Sequence, residues 1–353
     1  MFRTTGHLLI GLAYVLFAVT VAVAQQPLSA PPPSPAPPPV VDLTPPEVPG
    51  RQVTISEIVP GPSSPRAILT SAEYLLVRPR RRDLDFALVD PFDDFTPEGK
   101  VKSVEWPTVS GLRAGIGYRP ADSCWETMFT YMYLHSGDDR RAAAPPGGVL
   151  YPTLTRPGIV DRALTADAGS GITFNVFDLE AARRFTIDDS FAFRVSGGMR
   201  WASIDQSLDA FYFGGDADGA HVRSRAAFDG FGLTVGGQGD WVLGRGFRLF
   251  TRARGSLLVG DSCSRLRETN SGGLILNADV RDHSVQTVPV LELASGLSWE
   301  YRNFTASVGY EIANWFNLFD SPYFIDDFAE GKIGRRRSDV SLEGVFFRLG
   351  MAF

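Results

Sequence analysis

Residues 339–353 alternate between two kinds of side chain. Every second residue back from the end of this segment is apolar: Phe353, Met351, Leu349, Phe347 and Val345. Most of the residues between them are small or charged, such as Gly350 and Arg348, and Phe346 is the exception. A period of two is typical of a β-strand with one apolar face. Taken alone, this strand fits the core of a soluble β-protein and the wall of a transmembrane barrel equally well.

The same pattern recurs from residue 68 onward. Ten segments are long enough to supply the ~9–11 residues that a tilted strand needs to cross a bilayer. They are residues 68–78, 109–119, 124–135, 171–185, 191–204, 228–243, 247–260, 285–301, 304–319 and 339–353. The intervals between them alternate between long and short, as they do when one barrel rim faces the exterior and the other faces the periplasm. The sequence therefore predicts an all-β fold: a closed antiparallel transmembrane β-barrel of about ten strands.

Two places leave details of this barrel open. Residues 206–225 fit a hairpin that either extends above the membrane or adds two wall strands, so twelve strands is the rival count. In residues 172–184 the apolar face switches midway, which indicates a bulge or a strand end outside the membrane.

Aromatic residues gather near the predicted strand ends in two bands. The band beside the short turns contains Tyr118, Trp125, Phe185, Phe191, Trp241, Phe247, Tyr301, Phe304 and Phe353. The band toward the long loops contains Tyr133, Trp201, Trp315 and Phe316. Amphipathic rings are enriched at both interfaces of a membrane, whereas the core aromatics of a soluble protein lie mid-strand. The two bands therefore favour lipid as the partner of the apolar face.

The amino-terminal part of the chain predicts export rather than a folded domain. A positive charge, an apolar run and an Ala-x-Ala site describe a signal peptide over residues 1–24. Residues 25–66 are rich in proline and predict a disordered periplasmic segment, since proline lacks an amide donor. The barrel then occupies residues 67–353, and we expect it in the cell outer membrane.

Composition narrows the class of protein further. The mean hydropathy of -0.02 is too low for a helical membrane protein but suits a wall that alternates lipid-facing and lumen-facing residues. The net charge of -6 gives no electrostatic footprint for nucleic acid. The two cysteines, Cys124 and Cys263, are predicted at opposite rims and therefore cannot form a disulfide.

Motifs for chemistry are weak in this sequence. The glycine-rich residues 230–239 lie inside a strand rather than between a strand and a helix, so we expect no phosphate-binding loop. The histidines that follow the signal peptide lie in or beside the long loops, without a Ser or Cys nucleophile motif. We therefore expect no enzyme activity, no cofactor and no metal.

Several short patterns resemble one family of proteins. They are Asn175-Val176-Phe177-Asp178-Leu179-Glu180 with Ala182-Arg183-Arg184, Ser196-Gly197-Gly198-Met199-Arg200-Trp201, Phe228-Asp229-Gly230-Phe231-Gly232-Leu233 with Gly236, and Gly296-Leu297-Ser298-Trp299. Together they resemble the pore-forming outer-membrane proteins related to the major outer-membrane protein of Legionella, in order across residues 70–353. The resemblance implies an outer-membrane barrel with a porin-like function and carries no catalytic residues over.

Charged residues on the face opposite the apolar one are the candidate functional residues. Those predicted to line a pore are Glu73, Arg113, Glu126, Arg194, Arg200, Asp240, Arg248, Arg252, Arg254, Glu292, Glu300, Glu311 and Arg348. Arginines opposite carboxylates can line and polarise a channel. We therefore predict a porin-like protein that allows passive diffusion of ions or small polar solutes through a narrow charged lumen. Because barrels of about eight strands have interiors that side chains can fill, the alternative is a closed structural or adhesive surface barrel that acts through its long extracellular loops.

The last strand supplies one further prediction. By resemblance to outer-membrane barrels generally, its terminal aromatic motif is a signal for the barrel-assembly machinery. The residues of this signal are Phe347, Leu349, Met351 and Phe353. The expected partners are that machinery and outer-membrane lipid, with no nucleic acid.

Overall fold

The computed structural model describes residues 66–94, 96–325 and 332–353. The predicted signal peptide, and the predicted disordered segment except for its last residue, lie outside the described residues. The strands are, in chain order, β1 (Ala67–Arg80), β2 (Asp85–Asp90), β3 (Lys100–Ser103), β4 (Val109–Arg119), β5 (Trp125–Ala143), β6 (Val149–Pro152), β7 (Thr165–Thr186), β8 (Phe191–Gly214), β9 (Ala217–Gly244), β10 (Phe247–Asn270), β11 (Ile275–Tyr301), β12 (Phe304–Phe324) and β13 (Ile333–Ala352). A 3-10 turn, Ser271–Gly273, joins β10 to β11.

Ten of these strands close into one antiparallel barrel. Around the ring their order is β1, β13, β12, β11, β10, β9, β8, β7, β5 and β4, and β4 pairs with β1. The predicted closed barrel of ten strands is thus confirmed. Residues 206–225 extend β8 and β9 instead of adding two wall strands. Strands β2, β3 and β6 form a separate small sheet.

The outward face of the barrel carries an apolar band. On β10 the band runs through Phe247, Leu249 and Val259, all of which are exposed. On β13 the predicted apolar face also points outward, and Phe347 and Leu349 are 48% and 53% exposed. Contact with lipid tails explains a continuous band of exposed apolar side chains around such a wall.

Eight wall strands, β5 and β7 to β13, have 19 residues or more and continue beyond this band, and six of them, β5 and β7 to β11, form the largest continuous projection. Strand β8 has 24 residues and β9 has 28, against the ~9–11 that cross a bilayer. Because the short turns of such barrels face the periplasm, the opposite ends of these strands project from the cell surface. We call this part the extracellular extension; it comprises residues 135–143, 165–173, 203–229 and 261–285. It replaces most of three long loops that the sequence predicts.

Strand β7 explains why the apolar face switches within residues 172–184. Its pairing with β5 and β8 runs without a register shift, so the alternative of a bulge was wrong. Near the periplasm, Leu179 points outward into the apolar band, whereas Ile172 and Phe174, further up the strand, are fully buried on the inward face. The other alternative, a strand end outside the membrane, matches the structure.

The periplasmic rim is closed by tight turns. Arg245 and Arg302 have φ angles of 53° and 54°, the left-handed conformation that short hairpin turns require. Cys124 lies at this rim, just before β5, whereas Cys263 lies in the extracellular extension on β10. Both cysteines are free, as their predicted separation requires.

Candidate functional site

The lumen is the candidate functional site, because the wall strands direct their charged side chains into it. All the charged residues that the sequence predicts to line a pore lie on the inward face, at positions that alternate with those of the apolar band. They occupy the periplasmic half of the barrel. We call this half the charged lumen, and it contains two ion-pair clusters and two further pairs near the periplasmic rim.

The first cluster lies beside the junction of β1 with β13, and we call it the seam cluster. Arg113 donates hydrogen bonds to Glu73 Oε1 at 2.7 Å and to Glu311 Oε1 at 3.0 Å. Arg348 donates from Nη2 to Glu73 Oε2 at 2.8 Å. Arg252 Nη2 lies 3.5 Å from Glu311 Oε2. The cluster therefore joins five of the ten wall strands.

The second cluster lies across the middle of the lumen, and we call it the central cluster. Arg200 donates from Nε to Asp178 Oδ1 at 2.6 Å and from Nη2 to Glu292 Oε2 at 3.0 Å. Arg254 donates from Nη1 to Asp178 Oδ2 at 3.0 Å, and its Nη2 lies 2.6 Å from Glu180 Oε1. These contacts connect β7 and β8 to β10 and β11 through side chains alone.

The remaining predicted lumen residues lie nearer the periplasmic rim. Arg194 donates from Nε to Glu126 Oε1 at 2.7 Å. Arg248 Nη1 lies 2.7 Å from Glu300 Oε2. Asp240 is buried on the inward face of β9. The Arg248 and Glu300 side chains, at 31% and 39%, are more exposed than any side chain of the central cluster.

Burial explains why each charged group of the two clusters has an oppositely charged partner. The Arg200 side chain is 2% exposed, and a charge removed from water costs several kcal/mol unless partners compensate it. Three arginines and two glutamates form the seam cluster, whereas two arginines and three carboxylates form the central cluster. The excess positive charge of the seam cluster is therefore balanced by the excess negative charge of the central cluster in the same lumen.

Above the charged lumen most of the inward side chains are apolar, and we call this region the apolar core. Phe174 and Trp315 lie with their ring centroids 5.8 Å apart, and both are buried. They belong to β7 and β12, which are five positions apart in the ring of ten. The contact therefore spans the lumen from one side to the other. Further buried members of the core are Ile172, Ala202, Ile204, Leu208, Ala226, Phe228, Leu258, Val288, Val290, Leu318, Phe319 and Val340.

Aromatic rings form the boundary between the charged lumen and the apolar core. The Arg200 guanidinium lies 5.9 Å from the centre of the Trp315 ring. The Arg252 guanidinium lies 5.9 Å from the centre of the Phe346 ring. A ring face attracts a cation, so these contacts stabilise the charges at the point where carboxylate partners end.

A small sheet and the segments around it cover the apolar core from outside, and we call them the roof (residues 81–94, 96–108 and 144–164). Its own Leu84 and Phe86 side chains are buried. Tyr212 of β8 donates a hydrogen bond from its hydroxyl to the Phe86 carbonyl at 2.7 Å. Trp106 donates from Nε1 to the Ser170 carbonyl at 3.2 Å. The roof is thus attached to β7 and β8 by buried hydrogen bonds.

One buried carboxylate connects the roof to the extracellular extension. Glu268 of β10 accepts a hydrogen bond from the Arg156 amide at 2.7 Å and another from Asn277 Nδ2 at 2.9 Å. Burial raises the pKa of Glu268, although both hydrogen bonds oppose that increase. Its charged form is therefore less favourable here than in water.

Sequence reasoning missed part of the lumen and misplaced one ring. Asp178 and Glu180 complete the central cluster, but the switch of apolar face along β7 concealed their inward direction. Trp315, expected in the outer aromatic band, is 1% exposed inside the barrel. The register of β12 shifts between Trp315 and Phe319. Trp315 lies before this irregularity and four residues after the inward-facing Glu311, so the period of two itself directs its ring inward. The aromatic band is predicted from position along the strand and not from the face of the strand, which is why Trp315 is misplaced.

Two negative observations bear on the class of site. Within the described ranges, the chain has no helix with the length and apolar character needed to span a bilayer. In the same part of the chain, His, Cys, Asp and Glu side chains form no group of three or more that could hold a metal ion.

The ring of ten antiparallel strands, the outward apolar band and the charged lumen together define an outer-membrane β-barrel. Comparison of the sequence with protein families assigns it more narrowly. The chain belongs to the family described as Legionella pneumophila major outer membrane protein precursor, which it matches over residues 62–353. The family resemblance inferred from short patterns and the expected outer-membrane location are both confirmed.

Solved structures with the same kind of fold share little sequence with this chain. The outer-membrane protease OmpT from Escherichia coli aligns with a TM-score of 0.50 and 10% identity, covering 82% of this chain and 98% of that chain. The toluene transporter TodX from P. putida aligns with a TM-score of 0.35 and 9% identity, covering 82% and 90%. The OmpT alignment supports the fold alone. A comparison with curated protein sequences found no match.

Proposed function

We propose that this protein is a closed outer-membrane barrel that presents a rigid structural or adhesive surface outside the cell. The contact between Phe174 and Trp315 carries the proposal, because it spans the lumen with ring centroids only 5.8 Å apart. An ion that crosses the barrel has to separate these rings and then pass through the apolar core. The surface presented is the extracellular extension with its roof.

The size of the barrel supports closure. Side chains can fill an eight-stranded barrel, whereas open aqueous channels belong to barrels of about sixteen strands or more. With ten strands, this barrel is close to the filled limit. Closure also gives the extension a solid base, since the same strands pass from the charged lumen into the extension without interruption.

A porin-like function is the second candidate, and the charged lumen favours it. In this function, ions or small polar solutes diffuse passively past the inward charges. Arg113 and Arg254 each contact more than one carboxylate, so an arginine can exchange partners without losing every partner at once. The apolar core then acts as the gate that has to open.

Conductance in planar bilayers distinguishes the two functions. For the closed barrel we expect no discrete channel events from purified protein. Discrete events would instead support diffusion through the lumen, provided that Arg252→Glu shifts the reversal potential toward cation selectivity. The matched control is Arg140→Glu, which reverses an arginine of the extension that is 53% exposed. A control that shifts the potential equally would exclude the lumen as the conducting path.

Labelling of intact cells tests whether the extension faces outward. Leu274, in the turn between β10 and β11, is 90% exposed. In a Cys263→Ser background we expect Leu274→Cys to react with a membrane-impermeant maleimide on intact cells, because it lies at the tip of the extension. Cys124, at the opposite rim, should react only after the outer membrane is permeabilised. The reverse pattern would contradict the proposed orientation.

A further inference from the structure

Three arginines form a row across the outward face of the extracellular extension. Arg265 of β10 lies directly between Arg225 of β9 and Arg281 of β11 in the register of the sheet. Directly opposed positions in neighbouring strands bring Cβ atoms to ~4.5–5.5 Å, where like charges destabilise the sheet. We call these three residues the arginine row. Such an arrangement is stabilised by an anion that contacts several guanidinium groups at once.

Carboxylates of the protein neutralise this row only in part. Arg265 donates to both oxygens of Asp279, at 2.9 and 2.7 Å. Arg281 Nε lies 4.0 Å from the same carboxylate. Over residues 66–94, 96–325 and 332–353, no carboxylate lies within 4.0 Å of a nitrogen of the Arg225 side chain. One carboxylate therefore serves two arginines, and the third has none among the residues described.

The next outward position along these strands, further from the membrane, holds two more arginines and both of the aspartates that face them. Arg267 of β10 lies between Arg223 of β9 and Asp279 of β11. Arg223 donates from Nε to Asp209 Oδ1 at 2.8 Å. Across the two rows, five arginines thus face two aspartates. The nearest other outward carboxylates, Asp205, Asp229 and Asp261, lie closer to the apolar band.

A groove runs past the arginine row along the same face. It has a volume of about 800 Å³. Besides the arginine row, its outward lining includes His135, Thr173, Asp205, Cys263 and His283. Guanidinium groups suit phosphate or carboxylate, while carboxylate, imidazole and hydroxyl side chains exchange hydrogen bonds with sugar hydroxyls. The groove therefore combines the groups that recognise an acidic sugar.

The height of the groove above the membrane indicates which part of the surrounding lipid molecules lies beside it. Arg265 follows Val259, the last apolar outward residue of β10, by six positions. At ~3.3 Å per residue and a strand tilt of ~40°, the arginine row lies roughly 15 Å beyond the apolar band. Lipid tails and their first polar groups end below this level. The carbohydrate of outer-leaflet glycolipids extends through it.

We infer that the groove and the arginine row bind the anionic carbohydrate of the lipopolysaccharide that surrounds the barrel. The bound groups are phosphate or carboxylate substituents of its core sugars. The site lies on the outer wall, so this inference goes beyond the proposed function and holds whether or not the lumen conducts.

Binding of lipopolysaccharide to the purified full-length protein in detergent tests the inference. The probes are fluorescently labelled lipopolysaccharide with a phosphorylated sugar core and lipid A without core sugars. We expect Arg225→Gln/Arg281→Gln to weaken binding of the first probe at least tenfold, because two guanidinium partners are lost. The matched control is Arg141→Gln, an outward arginine of the same extension whose side chain is 88% exposed. It should bind within twofold of the unaltered protein.

Three outcomes would overturn the inference. The first is equal binding of the labelled lipopolysaccharide by the double variant and the control. The second is equally tight binding of lipid A, because the core sugars would then not be the ligand. The third is arginine-dependent binding of heparin, used as a free acidic polysaccharide, without any binding of lipopolysaccharide.

Cys263 provides an independent readout within the groove. Its thiol is free and exposed. Lipopolysaccharide should slow its reaction with a maleimide several-fold in the unaltered protein and should leave the rate unchanged in Arg225→Gln/Arg281→Gln. Cys124, at the other rim, serves as the internal control. An unchanged Cys263 rate in the unaltered protein at saturating lipopolysaccharide would exclude the groove as the binding site.

Discussion

The charged lumen and the apolar core lie within the same ten strands but have opposite chemistry. In the membrane, β7 directs Leu179 outward and Asp178 inward, whereas further up it directs Ile172 and Phe174 inward. The surroundings outside the wall change at the same level, from lipid to water. The comparison teaches that the outer solvent, rather than the fold, decides which face of a barrel strand is apolar.

The two regions are also stabilised in different ways. In the charged lumen, guanidinium and carboxylate groups connect distant strands, while lipid supports the apolar outer face. In the extension the outer face is wet, so stability requires apolar burial inside, as in a soluble β-protein. The apolar core and the roof supply that burial.

The largest expected effect comes from the apolar core. Trp315→Ala removes a fully buried ring and should lower the free energy of unfolding by about 3–5 kcal/mol. Guanidinium unfolding of the protein in detergent would measure the change. Trp241→Ala, which removes the same side chain from the outward band, is the matched control and should cost less because its ring is 38% exposed. Equal losses would show that the upper region is not a packed core.

A smaller effect is expected in the charged lumen. Asp178→Asn preserves the shape of the side chain but removes the carboxylate that Arg200 and Arg254 share. It should lower the free energy of unfolding by about 1.5–3 kcal/mol, the usual range for hydrogen bonds to charged groups. The same unfolding measurement applies. Asp167→Asn breaks an exposed pair with Arg141 and should cause little change. If both variants lose equal stability, the buried cluster contributes no more than a surface pair.

The smallest effect concerns pH. Burial raises the pKa of Glu268, so the folded state binds this proton more tightly than the unfolded state. Protonated Glu268 therefore stabilises the folded state fully at a pH below the pKa of this group in the unfolded chain, near 4.5. This stabilisation is lost as the pH rises through the raised pKa of the folded state. As the pH rises between these two pKa values, the amides of residues 150–163 should become less protected against hydrogen exchange, after correction for intrinsic exchange rates.

Two variants check this pH dependence. Glu268→Gln should remove it, since the side chain no longer titrates. Glu105→Gln, which replaces a roof glutamate whose side chain is 67% exposed, should retain it. Protection that varies equally with pH in all three proteins would mean that another group is responsible.

The membrane-crossing part of the fold was predictable from sequence because lipid imposes a strict period of two. Residues 109–119 were predicted as a strand and form β4 with the same bounds. The inward direction of most lumen residues was predictable for the same reason, since polar positions alternate with lipid-facing ones, but Asp178 and Glu180 were missed.

The part of the fold outside the membrane was not predictable in the same way, because the face of the strand that apolar residues mark changes along the chain. Once the outer face is wet, apolar residues mark the inward face, so residues 261–284, the upper parts of β10 and β11, resembled a loop. The partners of the lumen charges depend on which strands lie opposite each other in the closed ring. Glu311 meets Arg113 across 198 positions of sequence, a distance that no local pattern encodes.

The seam cluster has a consequence for how the barrel is made. Glu73 lies opposite Arg348 on one side and Arg113 on the other, and 275 positions separate it from Arg348. The first and last strands can meet only after every other strand has been synthesised, so this ion pair forms at the end of assembly. A slip of one residue would turn Glu73 toward lipid and leave two arginines without it. The pair thus discriminates between correct and shifted closure at the final step of biogenesis.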